Sequence, residues 1–207
     1  MASENETVYI VDDDPSVREA LWSLLRANGK NVQLFASGKE FLGAERRDAA
    51  ACLILDLKMP AMNGLEVQSL VSAQVSIPII FITGRGDIPS TVKAMKGGAI
   101  DFLTKPVNEK DLLQAIDSAL NRDRESRHNR AELAELEGRY AALTPREREV
   151  LPLVVSGLLN KQAAAELGIS QVTFQIHRSN VMHKMKARSV AELVRMAERL
   201  NIRASSA

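Results

Sequence analysis

Val8-Tyr9-Ile10-Val11-Asp12-Asp13-Asp14 sets four consecutive apolar side chains against three consecutive carboxylates. A short apolar run bounded by polar residues reads as a strand buried on both faces, so the charge must sit where that strand leaves the core. Three further stretches repeat the pattern. Cys52-Leu53-Ile54-Leu55 ends in Asp56, Ile79-Ile80-Phe81-Ile82 ends in Thr83, and Asp101-Phe102-Leu103-Thr104 runs into Lys105-Pro106. Such strands, alternating with helical stretches, fold as a parallel sheet covered on both faces, and ligands of these sheets sit beyond the carboxyl ends of the strands. The four ends therefore converge on one site that holds carboxylates, a hydroxyl and an ammonium.

Strands at about residues 7–11, 31–35, 51–56, 78–83 and 101–104 alternate with helices at about 16–28, 37–46, 63–74, 87–96 and from 108 onward. The fold class is α/β, a five-stranded doubly wound parallel sheet. Asn28-Gly29, Gly43 and Gly97-Gly98 stop helices, whereas Pro15, Pro60, Pro78 and Pro89 mark starts or turns. Asp14 reads as the cap of the helix that opens near Ser16.

Carboxylates packed within a few Å repel one another, and the usual relief is a bound cation or a raised pKa. No His or Cys accompanies these acids. An all-oxygen donor set favours a hard ion, and Mg2+ fits better than Ca2+ because it needs few carboxylates and keeps its waters. A carboxylate is also a nucleophile toward a phosphoryl group. Lys105 would neutralise the transferred oxygens and Thr83 would hydrogen-bond one of them. Each of these residues alone reads as a cap, a solvated lysine or a strand-end hydroxyl. The set at four strand ends is what points to chemistry.

In order and spacing, Asp12 and Asp13 in IVDDD, Asp56 in LILDLKMP, Thr83 in FITG and Lys105 in FLTKP resemble the receiver domain of two-component response regulators. The resemblance covers about residues 5 to 120 and implies a flavodoxin-like receiver. It implies that Asp56 is the phosphoacceptor, and that Asp13 and Asp56 ligate Mg2+ together with a backbone carbonyl from Lys58. Asp12 would help through water. A cis peptide before Pro106 would aim Lys105 at the site. Thr83 and Phe102 would act as the switch pair, the first closing on the phosphoryl group and the second swinging inward. Lys58 and Arg85, two residues beyond Asp56 and Thr83, would flank the phosphoryl group and set its lifetime.

The chain has 207 residues and a formal net charge of +1, which hides an asymmetry. Residues 1–119 carry 12 Lys and Arg against 16 Asp and Glu, net −4, and residues 143–207 carry 10 against 5, net +5. An acidic half that handles a cation and a basic half that meets a polyanion is the simplest reading. The single cysteine, Cys52, lies in an expected buried strand, so no intrachain disulfide is possible and a reducing compartment fits. No apolar stretch approaches the length needed to span a bilayer. The expected location is cytoplasmic, with no membrane partner.

Residues 121–130 are nearly all polar, and Leu133, Leu136, Tyr140 and Leu143 follow at helical spacing. These two short heptads can form a coiled-coil seam or pack on a neighbouring domain. The expected organisation is a receiver at 1–120, a helical linker at 121–142 within one long helix from about 108, and an all-α helix-turn-helix domain at 143–207. In the last, four short helices are expected from about Pro145, Lys161, Gln171 and Val190, capped by Thr144, Asn160, Ser170 and Ser189. Residues 171–188 contain no acid but carry Arg178, Lys184, Lys186, Arg188 and two histidines, so the third helix has a basic face.

The strings LTPREREVL, GLLNKQAAAELGISQVTFQIHR and MHKMKARSVAEL resemble the DNA-binding domain of the LuxR/NarL family, over about residues 140 to 200. Together the two halves look like the FixJ-type branch of response regulators. That resemblance implies a transcription factor whose partners are a histidine kinase, double-stranded promoter DNA, a second copy of itself on phosphorylation, and RNA polymerase. It places Gln175, Ile176 and Ser179 at base edges, and Asn160, Lys161, Thr173, Arg178 and Lys184 at phosphates. Phe174 stands where a Val is usual, as core filling, and Gln175 where a Lys is usual, which favours adenine over guanine. No acid or Cys accompanies His177 and His183 at ligand spacing, so they read as surface or phosphate-contacting histidines. Two other classes fit the residues less well. A phosphate shuttle with a protein-binding tail sits poorly with the basic helix, and RNA recognition calls for stacking aromatics that the basic half lacks.

Overall fold

The computed structural model describes residues 6–74, 77–84 and 88–202. By its contacts the chain divides into two compact units, Met1–Arg127 and His128–Ala207. The first contains β1 (Thr7–Val11), α1 (Pro15–Ala27), β2 (Val32–Phe35), α2 (Gly38–Gly43), β3 (Ala51–Asp56), α3 (Gly64–Gln74), β4 (Ile79–Thr83), α4 (Ile88–Lys96), β5 (Asp101–Thr104) and the start of α5 (Glu109–Ala141). The strands form one parallel sheet in the order β2-β1-β3-β4-β5.

Period-two alternation divides the strand side chains between two cores. Val8 and Ile10 of β1 and Cys52 and Ile54 of β3 meet Leu21 and Leu25 of α1 and Leu112 and Ile116 of α5. Tyr9, Val11, Leu53 and Leu55 point the other way, onto Phe41 of α2 and Val67 and Val71 of α3. Both faces are covered, which is why these strands read as continuous apolar runs. Register levels their ends: Val11 pairs with Leu55, Asp56 with Ile82, and Thr83 with Thr104. The chain leaves β1 toward β2 on one side and reaches β3 on the other, so the reversal of strand order falls at the ends of β1 and β3.

Two elements differ from the sequence reading. The second helix ends at Gly43, where Ala44 turns extended (φ −79°, ψ 142°) and its N–H closes on the Phe41 carbonyl. In α5 the buried face Leu112, Ile116, Ala119 continues into Asp123, which is 1% exposed although it lies in the polar stretch. One Asp123 oxygen accepts from the Ala51 N–H at the start of β3 (2.9 Å) and from Arg127 Nε (2.7 Å), and Arg127 also bonds Asp48. The first unit therefore continues to Arg127.

The second unit packs the end of α5 with α6 (Pro145–Val155), α7 (Asn160–Glu166), α8 (Gln171–Met185) and α9 (Val190–Arg199). Leu136 and Leu143 are buried in its core with Tyr140 partly so, and thus the short heptads are used in packing. Thr144 and Glu147 form a reciprocal capping box on α6, and Ser170 and Ser189 cap α8 and α9. The expected Asn160 cap of α7 is corrected. The cap is Leu159, whose N–H donates to Gln162 Oε1 (3.0 Å), and the Asn160 carboxamide is left to accept from Arg178 (2.7 Å). Gly168, at φ +63°, turns α7 into α8.

Candidate functional site

The carboxyl ends of β1, β3 and β5 bring Asp12, Asp56 and Lys105 together. Asp12 is fully buried and Asp56 is 4% exposed. Lys105 Nζ lies 2.6 Å from Asp12 Oδ2 and 2.8 Å from Asp56 Oδ1. The second oxygen of each acid is also engaged, by the Asp14 N–H on Asp12 and by the Lys58 N–H on Asp56, both at 2.9 Å. Asp14 caps α1 by accepting from the Ser16 N–H at 2.8 Å, as its sequence position suggested. The Lys105-Pro106 peptide is cis, and the Lys105 N–H donates to the Thr83 carbonyl at 2.8 Å. Thr83 itself is buried. Phe102 is half-buried against the core, its ring 6.4 Å from that of Phe81. Gly64, which opens α3, has no room for a side chain: a Cβ would stand 2.5 Å from the Asp56 carbonyl oxygen.

Burial pushes the Asp56 carboxyl above the usual aspartate range, and the Lys105 hydrogen bond offsets only part of that rise. Burial acts against the Lys105 ammonium as well, but its bonds to Asp12 and Asp56 outweigh it and hold its pKa above the ordinary lysine value. Asp13 is exposed, and its carboxylate takes no hydrogen bond or ion pair among the described residues. Two carboxylates thus share one ammonium, with the exposed Asp13 carboxylate next along the chain, an imbalance that a divalent cation would offset. Among the described residues no three His, Cys, Asp or Glu side chains gather into a cage. An ion here would be held by few protein oxygens and by water, which is the manner of Mg2+ and not of Ca2+. The donor set fits Mg2+.

Sequence reasoning missed Arg18, whose guanidinium Nη1 donates to the Asp12 carbonyl at 2.6 Å from the first turns of α1. A side-chain contact to a backbone carbonyl leaves no periodic trace in a sequence. Arg85 lies outside the described residues, and Lys58 is exposed.

The second candidate site is α8. Phe174, Val181 and Met185 are buried, so Phe174 fills core as expected. The opposite face exposes Gln175 and Ser179 with Val172 (67%) and Ile176 (56%). Val172 escaped the sequence reading, although it stands four residues before Ile176 on the same face. Around them Lys161 is exposed, Thr173 Oγ1 is 2.8 Å from Ser170 Oγ, and Arg178 is held by Asn160. The Lys184 ammonium lies 2.6 Å from the buried Glu147, tying α8 to the first turn of α6. That pairing spans the helix packing and is invisible locally. Among the described residues no helix is long and apolar enough to cross a membrane.

Known proteins are similar to both halves of the chain. Residues 8–117 match the response regulator receiver domain, and residues 141–197 match the bacterial regulatory proteins of the luxR family. Nodulation protein W of Bradyrhizobium diazoefficiens is 47% identical over 205 residues, which cover 99% of this chain and 90% of that protein. The transcriptional regulatory protein FixJ of Rhizobium meliloti is 42% identical over 192 residues, covering 92% and 94%. The solved structure of response regulator StyR shares 48% identity at a TM-score of 0.84, over 94% of this chain and 99% of that one. With matches spanning both halves at this level, the chain belongs to the two-component response regulators that couple a receiver to a LuxR-type DNA-binding domain, a family of transcription regulators switched by phosphorylation.

Proposed function

We propose that Asp56 is the residue on which this regulator is phosphorylated, with the phosphohistidine of a partner histidine kinase as donor. The observation that carries this reading is the buried Asp56 carboxylate at the end of β3, 2.8 Å from Lys105 Nζ. An Asp56 oxygen attacks phosphorus, the N–P bond of the donor breaks, and its electron pair returns to the imidazole. Lys105 neutralises the arriving oxygens and the Thr83 hydroxyl donates to one of them. Asp13 and Asp56, with the Lys58 carbonyl and with Asp12 acting through water, would hold Mg2+. When bound, that ion offsets charge on the transferred oxygens. Lys58 and Arg85 flank the product, govern the access of water and so set its lifetime.

Phosphorylation adds roughly two negative charges at Asp56. Thr83 closes on them, Phe102 moves into the space released, and the face of α4 and β5 repacks to favour a homodimer. In the dimer two copies of α8 meet double-stranded promoter DNA, with Gln175, Ile176 and Ser179 at base edges and Asn160, Lys161, Thr173 and Arg178 at phosphates. Lys184 serves that surface through its tie to Glu147, or by sharing its charge with a phosphate. Residues 1–120 act as receiver, 121–142 as helical linker and 143–207 as DNA-binding domain, in the cytoplasm and with RNA polymerase as the downstream partner.

The test is to incubate the protein with Mg2+ and a small acyl phosphate. One phosphoryl group is expected per chain, and with it tighter binding to a DNA duplex selected for affinity. Asp56→Asn should lose both. Undiminished labelling of that variant would refute the assignment.

A further inference from the structure

Every polar atom of Asp12 has a partner. Its N–H donates to the Phe35 carbonyl at 3.3 Å, its two carboxylate oxygens accept from Asp14 and Lys105, and its carbonyl accepts from Arg18. Asp14 is equally fixed, as the cap of α1. Asp13 stands between these two anchored residues with its carboxylate unengaged among the described residues. The direction of that carboxylate is therefore decided by the peptide that joins Asp12 to Asp13. Arg18 is the side chain that grips this peptide, at 2.6 Å.

We propose that Arg18 is a positioning residue of the acidic site: by holding the Asp12 carbonyl it aims the Asp13 carboxylate at the divalent cation and so sets cation affinity. The proposal rests on the reading of Asp13 and Asp56 as cation ligands. Arg18 is half-buried and has no ion-pair partner among the described residues. Its two physical effects therefore oppose each other. As an uncompensated charge on the peptide next to the acidic site it repels a dication, and its removal would strengthen binding. As the donor that fixes a ligand-bearing peptide it orders the site, and its removal would weaken binding. A short, charge-assisted hydrogen bond that orients a ligand is the stronger effect, because the charge is partly exposed and screened by solvent whereas the misplaced ligand is lost to the ion altogether.

The sign of one measurement separates the two. Mg2+ alone is titrated calorimetrically into the full-length wild type, Arg18→Met and Arg18→Lys, after melting curves without cation have checked folding. Loss of an outer partner of a metal ligand costs about 10–100-fold in affinity. Arg18→Met is expected to bind Mg2+ about tenfold more weakly, and Arg18→Lys, which keeps the charge and loses the fork, to fall between it and wild type. Phosphorylation by acetyl phosphate should slow in Arg18→Met at low Mg2+ and recover when Mg2+ saturates, since the reacting groups are untouched. Binding by Arg18→Met as tight as wild type, or tighter, overturns the proposal, and so does a rate that stays low at saturation. Should Arg18→Met not fold, Arg18→Lys decides alone, and an affinity equal to wild type overturns it. A wild type that binds no Mg2+ sinks the underlying reading of the acids instead, and Asp13→Asn, expected to lose binding whatever Arg18 does, tells the two failures apart.

Discussion

At the scale of single residues the acidic site is strained electrostatically, and the strain is measurable. Burial raises the Asp56 pKa in the folded protein above that of an unfolded aspartate, near 3.9. The native state then holds that proton to higher pH. Stability from this carboxyl is fully present below the unfolded value and is lost as pH rises through the folded one. Above the unfolded value this carboxyl is a net cost to the folded state. Asp56→Asn is therefore expected to raise the melting temperature of the first unit at pH 7 by a few degrees in the absence of cation, with Lys105 still paired to Asp12. The gain should shrink as pH falls toward about 4. Equal gains at both ends, read by calorimetric melting, would mean that ionisation is not the cause. The residues of this site were legible in the sequence because a parallel sheet gathers its strand ends: Asp12, Asp56 and Lys105 meet as expected. Arg18 and the Glu147–Lys184 pair were not, since both depend on how helices seat and not on spacing along the chain.

At the scale of elements, the strands were the most legible part, because burial on both faces writes them as unbroken apolar runs. Helix α5 was the least. Its polar stretch from residue 121 reads as solvated, yet the buried positions 112, 116 and 119 extend at the same four-and-three spacing to 123, where the residue is an acid. Asp123 is tolerated there because it accepts from the Ala51 backbone and from Arg127, which reaches on to Asp48. The start of the strand that ends in Asp56 is thereby fastened to α5. Truncation to Ala would leave the Ala51 N–H unmatched and Arg127 with Asp48 alone, and an unsatisfied buried group costs about 1–3 kcal/mol. Asp123→Ala is expected to lose at least that much in urea unfolding of the first unit, and Asp123→Asn less, because an amide oxygen can still accept from Ala51. A loss below about 0.5 kcal/mol in Asp123→Ala would mean that water replaces the carboxylate there.

At the scale of the whole molecule, an acidic unit that receives charge must change what a basic unit does to DNA, and dimerisation is the link proposed above. Ile88, Val92 and Met95 are 81%, 45% and 43% exposed and spaced four and three along α4, so they present one apolar stripe. Burying a fully exposed side chain of this kind yields about 1.5–3 kcal/mol, but Val92 and Met95 are already about half-covered, so the stripe gains less than that and is set against an association cost on the order of 4–15 kcal/mol. On the proposed reading the resting protein is expected to be largely monomeric. Moving a population from mostly one state to mostly the other takes about 5.5 kcal/mol, which on the proposed reading the repacking of Phe102 and the stripe supply together. In a two-fold dimer a charge placed on that stripe faces the same stripe of the partner, with its own copy close by. Val92→Glu is therefore expected to accept the phosphoryl group as wild type does, to sediment as a monomer at micromolar concentration, and to lose roughly 100-fold in affinity for a paired DNA site while keeping its affinity for a single half-site. Labelling is the control, because Val92 lies on α4 and away from Asp12, Asp56 and Lys105 in sequence and contact. A phosphorylated Val92→Glu that dimerises like wild type would move the interface off α4, and with it the route by which Asp56 reaches DNA.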